Sequence, residues 1–240
     1  MIDVSGDFEI HITTYSHHAK QLAAFAEQHG VKFLHILLDR GTNVSQPMLT
    51  FTGSGTLEQQ RVLVEHWRDR LREAGLHACR AKIEAAPWCT GVPQTDRDAA
   101  DEPGDRYFEH HVKVLLSNPT VADLVTITDL VAPHGARLSQ NARRQHTSGQ
   151  QERFVNQRGY GIGLTTAEQR LESLVVDLVR MGVPPRRAGL PGPGGRSAVD
   201  NRAAYRDEPS PHGDRRDTVG RTSRSPRQRH DDRLGRWCGA

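Results

Sequence analysis

The segment Phe8-Glu9-Ile10-His11-Ile12-Thr13 alternates apolar and polar side chains. The same phase returns one hundred residues later as Phe108-Glu109-His110-His111-Val112-Lys113. A period of two marks a β-strand with one buried face. Finding it twice, with the same Phe-Glu-x-His core, points to a duplicated unit. A second match agrees: His29-Gly30-Val31-Lys32-Phe33 and His134-Gly135-Ala136-Arg137-Leu138 each follow the first helical stretch of their half.

Around these anchors the first half reads as strand, helix, strand, strand, helix, strand. After the 8–13 strand, Ser16 precedes a helix with Leu22, Phe25, Ala26 and His29 on one face, stopped by Gly30. Strands follow at 31–38 and 48–52. Thr56 and Gln59 form a capping-box pattern before a helix whose stripe is Val64, Trp67, Leu71 and Ala74, and a strand closes the half at 78–85. The second half predicts a strand at 107–114 and a helix opened by Asn118-Pro119 that runs through Leu124, Ile127 and Val131. Strands at 136–143 and 153–158 follow, then a helix capped by Thr165 with Glu168 and buried along Leu171, Leu174, Val175 and Leu178. The expected fold class is therefore α/β of the α+β kind: two ferredoxin-like βαββαβ halves, residues 1–86 and 107–183, joined by a polar linker at 87–106.

The second half lacks its last strand. Where it should begin, the chain turns into 184–240, a stretch with thirteen Arg, no Lys, seven Pro, eight Gly and four large aliphatic residues. So little apolar area cannot offset chain entropy, and a disordered tail is expected. It reads either as a shifted frame in GC-rich DNA or as an ordinary extension. Its thirteen Arg against seven acidic residues carry +6, so the rest of the chain carries −3 and the overall +3 says little about the folded part. Acidic residues interrupt the arginines and no regular aromatic interleaving suggests base stacking, which argues against nucleic acid as a partner. No apolar run is long enough for a membrane span, nor does the start look like a signal peptide. Cys79, Cys89 and Cys238 form no disulfide or metal-ligand pattern, so a cytoplasmic setting is expected. The missing strand would leave an open edge on the 107–114 strand, which makes a homodimer an expected arrangement.

His11 and His111 occupy equivalent places on the polar side of the two first strands. If the halves are related by a pseudo-twofold, both imidazoles can face one cleft, one removing a proton and the other returning it. Thr13 can orient a histidine or hold a phosphate, and Lys113 can neutralise phosphate charge. His11-Ile12-Thr13 and His111-Val112-Lys113-Val114 resemble the paired His-apolar-Thr/Ser-apolar motifs of two-histidine phosphoesterases, although Thr14 is not apolar and Lys113 stands where a hydroxyl belongs. The resemblance implies His11 and His111 as the acid–base pair of a phosphoesterase or related small-molecule enzyme.

Glu9, His11, Glu109 and His111 are usable metal ligands, but no His-x-x-x-His or Cys-x-x-Cys spacing accompanies them, so neither a metal nor another cofactor is expected. Arg137, Asn141, Arg143, Arg153 and Arg158 form a basic region able to bind an anionic small molecule or a phosphorylated partner. Gly159-Tyr160-Gly161-Ile162-Gly163 lacks the spacing of a phosphate loop. The runs Ala136–Arg144 and Glu152–Arg158, with Phe108–His111, resemble a family of actinobacterial proteins without an assigned activity; the resemblance implies that relatives continue with a normal strand after residue 182. The primary expectation is thus a non-catalytic binding or interaction protein with an anion-binding arginine face. The alternative is the His11/His111 enzyme.

Overall fold

The computed structural model describes residues 4–39, 44–142, 149–185 and 199–202. The first half contains β1 (Ser5–Thr14), α1 (Ala19–Gln28, entered through a 3-10 turn at Ser16–His18), β2 (Lys32–Leu38), β3 (Ser45–Thr56), α2 (Leu57–Glu73) and β4 (Ala78–Ala85). After a short α3 (Asp96–Ala99) the second half repeats the order: β5 (Tyr107–Ser117), α4 (Val121–Val131), β6 (Ala136–Asn141), β7 (Gln150–Tyr160) and α5 (Leu164–Arg180), with a four-residue β8 (Val199–Arg202). The strands form one antiparallel sheet in the order β4-β1-β3-β2-β6-β7-β5-β8. Each half has the ferredoxin-like arrangement, and the two meet at β2 and β6, where Ile36, Leu37 and Leu38 pair with Asn141, Gln140 and Ser139.

The alternation read from the sequence decides which face goes where. Phe8, Ile10 and Ile12 are buried with Leu22, Phe25, Val64 and Leu71 of α1 and α2. Val112, Val114 and Leu116 are buried in the same way with Ile127, Val131, Leu171, Leu174 and Leu178. The helices cover this apolar face, so the polar face is left to curl on itself. Its curvature brings β4 to β5, which are not ladder neighbours: the Arg80 guanidinium donates to the Tyr107 hydroxyl at 3.4 Å, and Lys82 pairs with Glu109.

Among the described residues no strand follows α5 directly, as expected of an incomplete second half, although the four-residue β8 pairs with Glu109–Val112 of β5 in the place equivalent to β4. An isolated bridge also joins Val114 to Pro185. Backbone pairing thus occupies part of the edge on which the homodimer expectation rested. The remainder of the expected tail lies outside the described residues.

The 87–106 connection is more than a surface linker. Cys89, Val92 and Ala99 are buried, and the carbonyls of Pro93 and Gln94 accept from the backbone N–H groups of Leu164 and Thr165. The α4 cap is Thr120, which makes a reciprocal box with Asp123, whereas Asn118 sits before it with a positive φ of 47°. The α5 cap is Gly163; Thr165 lies inside the helix and gives its hydroxyl proton to the Gln94 carbonyl.

Candidate active site

The polar face encloses a cavity of about 330 Å³ to which seven strands contribute side chains. That volume is at the lower end of the range for small-molecule sites. Its lining carries five Lys and Arg side chains against three glutamates, together with both histidines of the duplicated motif.

His11 stands on β1 between Thr50 of β3 and Lys82 of β4. Its Nδ1 lies 2.9 Å from the Thr50 hydroxyl, and its Nε2 lies 3.6 Å from Glu84 Oε1. His111 stands on β5 opposite Asn156 of β7, with Nδ1 2.6 Å from Asn156 Oδ1 and Nε2 3.6 Å from Glu109 Oε2. The Asn156 amide nitrogen donates to Ser139 Oγ at 2.7 Å, which fixes the amide's orientation. Each imidazole is therefore held through Nδ1 by a neighbouring strand and turns Nε2 toward a buried carboxylate.

The two imidazole environments differ in one respect. Asn156 Oδ1 can only accept, so His111 carries its proton on Nδ1 and the neutral ring has its lone pair on Nε2. The Thr50 hydroxyl can either donate to or accept from His11 Nδ1, so it accommodates a neutral ring with its proton on Nε2, facing Glu84, as well as the imidazolium.

Between the two glutamates lies Lys82, in ion pairs with both Glu84 and Glu109. Glu109 also accepts from Arg158 Nε at 2.6 Å. Burial alone would raise the carboxyl of Glu84, but the charges of Lys82 and His11 outweigh it and hold the group well below the ordinary carboxylate range. Glu109 is held down likewise, against burial, by Lys82, His111 and Arg158. Burial opposes the charge on Lys82 as well, yet Glu109 and Glu84 keep its ammonium protonated far above its usual value. Lys82 is therefore a fixed cation and not a nucleophile.

Of the other residues singled out in the sequence, Thr13 is buried and borders this cavity, as do Lys113, Asn141 and Arg158. Lys113 pairs with Glu152 at 3.6 Å. The basic region does not form one face: Arg153 borders a separate hollow with Val121 and Leu124 on the helix side of the sheet, Arg137 is exposed, and Arg143 lies outside the described residues. The Gly159–Gly163 loop has no room for a phosphate at its last glycine, where a Cβ would come 2.3 Å from the Thr95 carbonyl carbon. Sequence reasoning missed Lys82, Glu84 and Thr50, and the role of Asn156 beside His111. The signal for the first two was present: Ala81 and Ile83 face the core, so Lys82 and Glu84 must share the face of His11.

Among the described residues, two groups could hold a cation, Glu9 with His11 and Glu84, and Glu84 with Glu109 and His111; within each, the ligand atoms lie within 4.8 Å of one another. An ion bridging Glu84 and Glu109 would have to displace the Lys82 ammonium, which already neutralises both.

No family model matches the chain, and no curated protein matches it either. Among solved structures, one match is the crystal structure of a protein named "Putative Chlorite dismutase". It is 13% identical, with 85% of this chain and 95% of that chain covered, at a TM-score of 0.25. At so low a TM-score the match carries no argument; the ferredoxin-like arrangement rests on the strand order. No helix among the described residues is long and apolar enough to cross a membrane.

Proposed function

We propose that the chain is a small-molecule enzyme of the phosphoesterase type, in which His111 acts as general base and His11 as general acid on a substrate held in the polar cavity. The observation that carries this reading is the mirrored placement of two imidazoles, one from each half, with Nδ1 anchored and Nε2 turned toward the same Glu84–Lys82–Glu109 centre. In a cleavage of this class, His111 Nε2 takes the proton of the attacking hydroxyl or water while His11 Nε2 gives a proton to the leaving oxygen. Glu84 stabilises the positive charge on His11 before transfer, and Glu109 does the same for His111 afterwards. The excess of basic over acidic side chains in the lining favours an anionic substrate. The His-x-Thr resemblance of the first strand supports the same reaction class.

The test is incubation of the purified protein with a panel of cyclic phosphates, followed by ³¹P NMR. Hydrolysis is expected, with a bell-shaped pH dependence. His11→Ala and His111→Ala should each slow it by about 10²–10⁴-fold while far-UV circular dichroism stays unchanged. Turnover should survive EDTA, because Lys82 supplies the charge that an ion would otherwise bring. A protein that binds the panel but leaves every bond intact is a binding protein, and that result overturns the catalytic reading.

A further inference from the structure

A second hollow of about 330 Å³ opens where β1 ends and the turn into α1 begins. It shares Thr13, Gln46 and Arg80 with the polar cavity, so the two adjoin. Its lining adds Ser16 and His17 and contains no acidic side chain. Register in the β1–β4 ladder slips between Thr13 and Thr14, and both threonines border the hollow. Bulges of this kind re-aim side chains beside functional sites. Thr14 is 1% exposed, and its Oγ1 has no hydrogen-bond partner among the described residues. A buried hydroxyl left unpaired is costly to the folded state, which makes it a candidate for pairing with a ligand. Arg80, opposite Thr13 in the ladder, stands at the junction between the hollow and the cavity.

We propose that this hollow binds a phosphate-type anionic group, with Thr14 Oγ1 as donor and Arg80 and His17 as the basic partners. The inference deepens the enzymatic reading, on which its assignment as a substrate subsite rests. It describes the substrate as elongated, with an anionic head beyond Thr13 and its reacting bond beside His11 and His111. On an extended strand His11 and Thr13 are about 7 Å apart at their Cα atoms, so head and bond are separated by at least that span.

The probe is inorganic phosphate, read by thermal unfolding and by ³¹P line broadening. Phosphate should raise the Tm of the full chain in a saturable way, with chloride at equal ionic strength giving no such shift. Thr14→Val should raise the Tm of the phosphate-free protein by roughly 2–4 °C, because it removes an unpaired buried hydroxyl without changing shape. The same substitution should weaken phosphate binding by about tenfold or more, the usual effect of losing a hydrogen bond to a charged group. Arg80→Gln should weaken it as well. His11→Ala should retain phosphate binding after losing turnover, so a failure of the catalytic reading and a failure of this site give different results. No saturable phosphate shift in the unaltered protein, or an unchanged phosphate affinity in Thr14→Val, overturns the proposal.

Discussion

Lys82 sits where three ionised side chains leave water together, and its removal has a calculable consequence. Without the ammonium, Glu84 and Glu109 face each other in a buried space, and breaking one member of such a set costs about 3–5 kcal/mol. Lys82→Met should lower the urea midpoint accordingly, and Lys82→Arg should recover much of the loss; a Met variant as stable as the parent would show that the ammonium does not hold the centre together. Two buried sources shape the acid limb of stability. Burial pushes His110 down to about 4 from its ordinary 6.5, so its contribution is complete above about pH 6.5 and is lost as pH falls toward 4. Glu84 and Glu109, both held below their ordinary 4.5, contribute above that value and lose it at still lower pH. His110→Gln should flatten the pH 6.5–4 part of the profile and leave the lower part, as urea titrations at each pH would show. His11 and His111 were legible in the sequence because they repeat. Lys82 and Glu84 had only the alternation of their own strand to mark them, because its counterpart is too short to display the pattern again.

At the scale of elements, periodicity located the strands and helices, but their ends were set by tertiary contacts that periodicity does not encode. Asn118-Pro119 and Thr165 are good cap residues by composition, yet Thr120 and Gly163 hold those positions. Gly163 is chosen by space: the linker backbone at Thr95 lies against it, and its N–H donates to Asp96 Oδ1 at 2.8 Å. Gly163→Ala should therefore destabilise by about 1–3 kcal/mol through overpacking against backbone. Gly104→Ala, with open space around the added methyl, should change the same denaturation midpoint by only a few tenths of a kcal/mol. Equal effects at both positions would mean that the linker is not packed on α5 in solution. The basic region failed as a single face for a related reason. Arg153 and Arg158 differ by an odd number of residues on β7, and alternation sends them to opposite sides of the sheet.

Across the whole molecule, duplication in the sequence does not produce two independent bodies. Phe108 of β5, Ile162 of the turn before α5 and Ala167 of α5 belong to the apolar cluster of the first half. The chain repeat alone could not reveal this sharing, since it shows which elements recur but not which core they enter. A fragment comprising residues 1–86 would lose these contacts and expose Lys82 and Glu84 without Glu109. It should lack dispersed amide signals in an NMR spectrum, whereas residues 1–202 should show them and unfold in one cooperative transition.

The register of β8 gives Asp200 the position that Lys82 holds in β4, so the central ammonium has no twin in the other half. Two identical subunits obeying strict twofold symmetry would have to bring a pair of lysines into that narrow space, where like charges repel. Covalent fusion of the copies removes the obligation to repeat every residue. A lone cation can then stand among the carboxylates, and under the proposed mechanism the two histidines of the repeat take unequal tasks.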